Sequence, residues 1–140
     1  MKPEDLMVGD WILLFDKTPV KVACIGNVEV YLSEPESKRA LDWVVTYEHI
    51  KPIPLTPEIL EKNGFLYKNG LWMWSKSKGK IYIRHLANKW SIEVKNELAK
   101  KDDFGRADLV SYCRDWIQQL YVHEIQHAIS LCGIDKKIVI

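Results

Sequence analysis

The sequence has no long apolar run and few cysteines, and both shortages narrow the kinds of protein it can encode. No stretch approaches the roughly 18 apolar residues that a membrane-spanning helix needs, and the first residues (MKPEDLMVGDW) lack the apolar segment of a signal peptide. We therefore expect a cytoplasmic protein with no membrane partner. Cys24, Cys113 and Cys132 are too widely spaced for a Cys-x-x-Cys pair, which argues against a disulfide framework or a thiolate zinc site.

Several catalytic motifs are also missing. The chain has no Gly-rich phosphate loop, no nucleophile elbow and no Cys-His spacing typical of a thiol enzyme. Hydrophobic residues make up 47% and charged residues 28% of the 140 residues, which is the balance of a folded globular protein. A chain of this length forms one domain or two small subdomains.

The N-terminal third is rich in short runs of β-branched and aromatic residues, which predict strands at 10–15, 19–25, 28–33, 42–47 and 49–53. Strands this short and this closely spaced are typical of a small curled sheet or barrel. Prolines then interrupt the pattern, and Thr56-Pro57 predicts a helix from Pro57 to Asn63. We place a boundary near residue 54, between a small β-barrel-like subdomain (1–54) and an α+β subdomain (55–140).

The second part of the chain reads as an antiparallel meander. Predicted strands lie at 65–69, 71–75, 80–86 and 89–95, with Asn69-Gly70 as the strongest hairpin signal. Residues 96–109 have no sustained period and predict a charged loop, and residues 110–116 predict a further strand. Residues 117–132 predict one long helix that ends at Gly133 and packs on the sheet. The fold class is therefore α+β.

Residues 121–130 (YVHEIQHAIS) contain the pattern of a zinc metallopeptidase helix. In that interpretation His123 and His127 hold the metal and Glu124 activates a bound water molecule. The third ligand is missing from the sequence pattern, because Ser130 and Gly133 stand where one peptidase class has glycine and histidine, and no glutamate follows His127. We therefore expect no metal or cofactor, and we keep a zinc-dependent hydrolase as the alternative.

A helical wheel separates this segment into two faces. The apolar face, which we expect to lie in the core, comprises Tyr121, Val122, Ile125, Ala128, Ile129 and Cys132. The opposite face carries His123, Gln126, His127 and Ser130, and the pattern predicts that it points to solvent.

Three segments together resemble a family of uncharacterised proteins encoded by phages and prophage-like elements of gut bacteria. They are the opening L-x-V-G-D-W, the middle KPIPLTPEILEKNGF and the C-terminal YVHEIQHAISLCG. The features shared in the last segment are Tyr121, Val122, His123 and Gln126, whereas Glu124 stands where glutamine is usual and His127 where asparagine is usual. The resemblance implies a phage or prophage accessory protein, and it implies no activity, substrate or cofactor.

Positive charge is concentrated in the middle of the chain, where residues 63–96 contain seven basic side chains and one acidic one. Lys76, Lys78, Lys80 and Arg84, together with Trp74, could bind single-stranded nucleic acid, because cations follow the backbone while aromatic rings stack on bases. The other interpretation is a solvated hairpin whose tryptophans lie in the core.

These patterns favour a non-enzymatic binding or interaction module, with a phage or host protein as partner. The six tryptophans fit this function, since tryptophan is enriched at interface hot spots. A zinc metallopeptidase is the first alternative, and a single-stranded nucleic-acid binder is the second.

Overall fold

The computed structural model describes residues 1–33, 43–101 and 107–140, with backbone alone at 98–101 and 107–109. The described residues form two five-stranded antiparallel sheets and two α-helices, which is the predicted α+β class. They divide into two compact units. The first comprises residues 1–54, 121–124 and 140, and the second comprises residues 55–120 and 125–139.

The first unit is a meander whose last strand returns to pair with the first. Its strands are β1 (Trp11–Leu14), β2 (Thr18–Ile25), β3 (Glu29–Ser33), β4 (Trp43–Thr46) and β5 (Ile50–Pro52), and each coincides with a predicted run. The strand order is β4-β3-β2-β1-β5. Within residues 1–33 and 43–54 no pairing joins β4 to β5, so the expected closure into a barrel is not found there.

Alternation along these strands places one set of side chains in a common core. Val20 and Val22 of β2 are fully covered, as are Val30 and Leu32 of β3. Residues two apart lie on the same face of a strand, so each pair contributes to one apolar surface. The core is completed by Leu6, Ile12, Leu14 and Ile50.

The second unit begins with helix α1 (Pro57–Lys62), which starts as the sequence predicts. The Thr56 hydroxyl accepts a hydrogen bond from the Ile59 backbone N–H at 3.3 Å, and Pro57 occupies the first helical position. Five strands follow, namely β6 (Leu66–Lys68), β7 (Leu71–Lys76), β8 (Gly79–Leu86), β9 (Lys89–Lys101) and β10 (Ala107–Ile117). They lie side by side in the order β10-β9-β8-β7-β6.

The turns of this meander use the residues that tight hairpins require. Asn69 and Gly70 have φ angles of 53° and 79°, and Lys68 pairs directly with Leu71 across the turn. Positive φ at both central positions gives the turn whose twist matches the flanking strands. The Asn69-Gly70 hairpin is therefore confirmed.

The predicted charged loop at 96–109 is wrong for the part that the structure describes. Strand β9 continues to Lys101, and β10 begins at Ala107, which pairs with Lys101. Backbone pairing with an adjacent strand stabilises this segment although its side chains carry no apolar alternation. Residues 102–106 lie outside the described part of the chain.

Helix α2 (Val122–Leu131) is ten residues long and begins later than predicted. The backbone just before it is extended, with Tyr121 bridged to Pro54 and the Val122 N–H donating to the Ile53 carbonyl at 2.9 Å. Residues 117–121 therefore cannot take helical dihedral angles, although their apolar spacing suits a helix. Pairing with a distant segment overrides local periodicity here.

A buried asparagine fixes the last residues of the chain within the second unit. The Asn63 side-chain amide donates to the carbonyls of Ile59 and Val139, both at 2.7 Å, and its oxygen accepts from the Val139 N–H at 2.8 Å. Lys136 donates to the Asn63 carbonyl at 2.7 Å, and its ammonium lies 4.8 Å from the centre of the Trp74 ring. The amide thus replaces the backbone partners that a strand would give Val139.

We expect Asn63→Ala to lower the free energy of unfolding by about 2 kcal/mol, because three backbone groups lose partners in a buried setting. Urea unfolding followed by circular dichroism measures this change. Glu61→Ala is the matched control on the exposed side of the same helix, and it should change stability by less than about 0.5 kcal/mol. Equal effects of the two substitutions would contradict the assigned role.

Candidate functional site

The structure buries the first histidine of the candidate zinc motif. His123 is 7% exposed, so the prediction that it faces solvent is wrong. Its ring stacks on that of Tyr121, with 6.0 Å between ring centroids. Residues 121–124 belong to the first unit and residues 125–139 to the second, so the two parts of the helix have different surroundings. The helical wheel assumed one buried face along the whole helix, and it therefore failed to predict the burial of His123.

The rest of the motif also has a structural use. The Glu124 carboxylate accepts a hydrogen bond from the Tyr121 backbone N–H at 2.9 Å, which satisfies a donor at the start of α2 in the manner of a capping box. His127 is half-buried one turn further along α2. Among the side chains of residues 1–33, 43–97 and 110–140, no three His, Cys, Asp or Glu are grouped so that they could hold a metal ion.

The basic residues selected from the sequence do not form one surface. Lys80 and Arg84 are exposed on one side of β8, whereas Trp74 of β7 lies on the other side, beneath Lys136. Lys76 and Lys78, at the turn between β7 and β8, line a cleft of about 440 Å³ together with Trp74. The cations are therefore divided between two sides of the second sheet.

The alternation of the second sheet defines these two sides. Ile81, Ile83, Ile92 and Val94 are completely or almost completely buried, and they mark the inner face. The residues between them, with their cross-strand partners, form what we call the outer face. The outer face comprises Leu66, Lys68, Leu71, Met73, Ser75, Lys80, Tyr82, Arg84, Leu86, Lys89, Ser91, Glu93, Lys95, Glu97, Ser111 and Cys113.

Trp116 lies at the β10 end of the outer face, beside a groove. This groove of about 260 Å³ is lined by Trp116 and by Leu71, Tyr82, Arg84, Ser91, Ile92, Glu93 and Asp115. The register of β10 shifts between Arg114 and Ile117, and within this irregularity Trp116 has a φ angle of 58°. The Trp116 N–H donates to the Ser91 hydroxyl at 3.4 Å, while the residue stays 61% exposed.

A left-handed backbone is unfavourable for a tryptophan, at a cost on the order of 1 kcal/mol. Strained residues of this kind cluster at binding and catalytic sites. Exposure of more than half of the Trp116 surface adds a further unfavourable contribution, since tryptophan is usually buried for the most part. Trp116 therefore combines two features that packing of the second unit alone does not explain.

The charges of the outer face are unevenly neutralised. Glu93 binds Lys95 at 2.7 Å, and this hydrogen-bonded carboxylate raises the pKa of Lys95. Within the described part of the chain, no carboxylate forms an ion pair with Lys68, Lys80 or Arg84. Three cations of the outer face are thus available to a ligand.

The neighbouring thiol is not an activated nucleophile. Burial, and then the nearby Asp115 and Glu93 carboxylates, raise the pKa of Cys113. The side chain therefore stays a neutral thiol near pH 7 and lacks the thiolate that nucleophilic catalysis needs. The outer face offers contact groups for binding rather than a nucleophile with its base.

Sequence reasoning selected Arg84 and Lys80 but missed Trp116 as a member of the same surface. The count of six tryptophans was the available signal. It does not distinguish Trp11, Trp72 and Trp90, which are 5–6% exposed, from Trp116. The bulge that turns Trp116 outward has no clear signature in the sequence.

Replacing Glu124 tests whether its carboxylate serves the helix. We expect Glu124→Ala to lower the free energy of unfolding by about 1 kcal/mol, since the start of α2 loses its capping acceptor. Glu124→Gln keeps an oxygen that can accept the Tyr121 N–H, and it should lose less. Thermal unfolding of both variants beside Glu61→Ala measures the difference, and no loss in Glu124→Ala would exclude the capping role.

Substitution of Trp116 should change the free energy of unfolding far less than substitution of Trp72. Trp116→Asn should change the free energy of unfolding by less than about 1 kcal/mol, because asparagine tolerates the left-handed backbone and little burial is lost. Trp72→Ala, in contrast, should cost about 3–5 kcal/mol, because it opens a cavity in the core. Urea titrations compare them, and a loss of several kcal/mol in Trp116→Asn would show that the residue is structural.

No helix among the described residues is both long and apolar enough to cross a membrane. Comparison of the chain with protein-family models, with curated proteins and with solved structures found no match to any of them.

Proposed function

We propose that the protein is a non-enzymatic phage or prophage accessory module that binds a protein partner through the outer face of its second sheet. The observation that carries this proposal is Trp116, an exposed aromatic ring on a strained backbone beside an open groove. Tyr82 and Arg84 line the same groove. Tryptophan, tyrosine and arginine are the residues most enriched at interface hot spots.

The apolar part of the outer face supports a protein partner. Leu66, which is 73% exposed, pairs with Met73, and Met73 pairs with Tyr82 on the next strand. A row of exposed apolar side chains across three strands is hydrated unfavourably, and such patches mark interaction sites. Charged residues surround this row, which is the arrangement of an apolar centre within a polar rim.

The zinc metallopeptidase is the first alternative, and a measurement of bound zinc distinguishes it from a binding module. Burial of His123 and the hydrogen bond to Glu124 give these residues structural uses, and both uses favour the binding module. Metal analysis of protein purified without metal-affinity resin tests the alternative. Near-stoichiometric zinc that disappears in His127→Ala would overturn our proposal in favour of the enzyme.

Single-stranded nucleic acid is the second alternative, and the division of its cations argues against it. Lys76 lies on the Trp74 side of the second sheet, whereas Lys80 and Arg84 lie on the outer face, so one strand cannot follow all three cations while a base stacks on Trp74. Nucleic-acid binding that falls steeply with salt and weakens in the double variant Lys78→Glu, Lys80→Glu would favour this alternative over ours.

A matched pair of variants tests the binding surface. Phe15 resembles Trp116 in being an exposed aromatic residue with positive φ, at 57% exposed and 51°, but it lies in the first unit. The full-length protein, Trp116→Asn and Phe15→Asn are immobilised and exposed to lysate of the bacterium that carries the gene. We expect the wild type and Phe15→Asn to retain the same proteins. Trp116→Asn should lose them, because removal of a hot-spot residue lowers the affinity for a partner by about 30-fold.

Two results would count against the proposal. Retention that depends on Phe15 but not on Trp116 would move the binding surface to the first unit. Retention that survives both substitutions would remove the outer face as the site. Circular dichroism of each variant establishes that a loss of binding does not come from unfolding.

A further inference from the structure

The outer face holds an excess of unneutralised positive charge around its apolar row. Lys68, Lys80 and Arg84 have no ion-pair partner in the described part of the chain, whereas the Glu93 carboxylate is already bound to Lys95. Asp115 is the remaining carboxylate of the groove, and it accepts a hydrogen bond from the Cys113 thiol at 3.8 Å. The surface therefore presents more cations than anions to a ligand.

The register of the sheet also places two lysines opposite each other. Lys80 lies directly opposite Lys95 in the β8–β9 ladder. Like charges at directly opposite positions destabilise a sheet. The Glu93 carboxylate offsets part of this repulsion, and an anionic ligand over the same position would offset more of it.

Arg84 is the group best placed to bind an anion. It lies directly opposite Leu71 on one neighbouring strand and Ser91 on the other, and it lines the groove beside Trp116. A guanidinium binds a carboxylate through two parallel hydrogen bonds, which fixes both position and orientation. The apolar wall next to it, formed by Leu71 and the Trp116 ring, suits a leucine or phenylalanine side chain.

We infer that the partner segment recognised by the outer face is an acidic peptide with an apolar anchor residue. In this arrangement one carboxylate of the segment pairs with Arg84, further carboxylates lie near Lys80 and Lys68, and the anchor fills the groove beside Trp116. This inference rests on the proposed function, because it names the chemistry of the partner for the same surface. Nucleic acid is disfavoured because the cations selected for it lie on two sides of the second sheet, and it becomes one outcome of the test.

Defined probes test the inference with the full-length protein. The first is a short fluorescent peptide in which glutamates surround a Leu-Phe pair, and the second carries lysine at every glutamate position. A third keeps the glutamates but replaces the Leu-Phe pair by serine and glycine, and the fourth is single-stranded oligo(dT). Fluorescence anisotropy gives the affinities, and the shift of the Trp116 indole N–H in an NMR spectrum, assigned with Trp116→Asn, locates the binding.

We expect the acidic Leu-Phe peptide to bind at least about tenfold more tightly than the other three probes and to shift the Trp116 indole. Added salt should weaken its binding, since exposed charges contribute. Arg84→Glu should weaken it by about 30-fold, and Arg84→Gln should lose less. Lys76→Glu makes the same change of charge on the Trp74 side of β7, opposite to the outer face, and should change the affinity by less than about threefold.

Charge reversal provides the sharpest outcome. If Arg84 selects the acidic peptide, Arg84→Glu should bind the lysine peptide more tightly than the wild type does, which simple damage to the surface cannot produce. Equal binding of acidic and lysine peptides, tighter binding of oligo(dT), or no binding of the acidic peptide would each overturn the inference.

Failure of the inference and failure of the proposed function are distinguishable. Lysine-peptide binding that shifts the Trp116 indole and is lost in Trp116→Asn would leave the outer face as the binding surface but reverse the charge of its partner. Absence of any indole shift, together with lysate proteins retained by Trp116→Asn, would remove the surface itself.

Discussion

The candidate site depends on the alternation of side chains across the second sheet. Consecutive residues of β8 point to opposite sides, so burial of Ile81 and Ile83 forces Lys80, Tyr82 and Arg84 onto the outer face. A shift of one residue in register would exchange the two sets and place charges in the core. The tight turns at Asn69-Gly70 and Ala87-Asn88 fix this register, since both have positive φ at their two central residues.

Local patterns of the sequence predicted most of this framework. The strands of both sheets and the start of α1 follow from alternation, turn residues and capping, all of which act between near neighbours in the chain. The start of α2 did not follow, because the extended pairing of Tyr121 with Pro54 joins residues far apart in the sequence. The same limit applies to β9 and β10, whose charged ends pair with each other through their backbones.

The candidate site was predicted less well than the fold, for a physical reason. Motif reasoning selects residues by type and spacing, and it selected His123, Glu124 and His127 because their order matches a metal helix. In the structure Glu124 accepts a backbone hydrogen bond and His123 is buried against Tyr121, so the same letters serve capping and packing. Trp116 was not selected because its exposure comes from an irregularity in β10 that only the folded ladder reveals.

Exposure of Trp116 is maintained by contacts around it rather than by its own preference. Its left-handed backbone interrupts the ladder between Arg114 and Ile117, and the hydrogen bond to Ser91 fixes the irregularity against β9. The Trp116 backbone is thus fixed at the groove that Arg84 also lines. Preorganisation of this kind lowers the entropy that binding must otherwise remove. An unstrained tryptophan with its ring packed in the core would favour folding, whereas the observed exposed conformation does not, and this difference supports the proposal that the outer face is a binding surface.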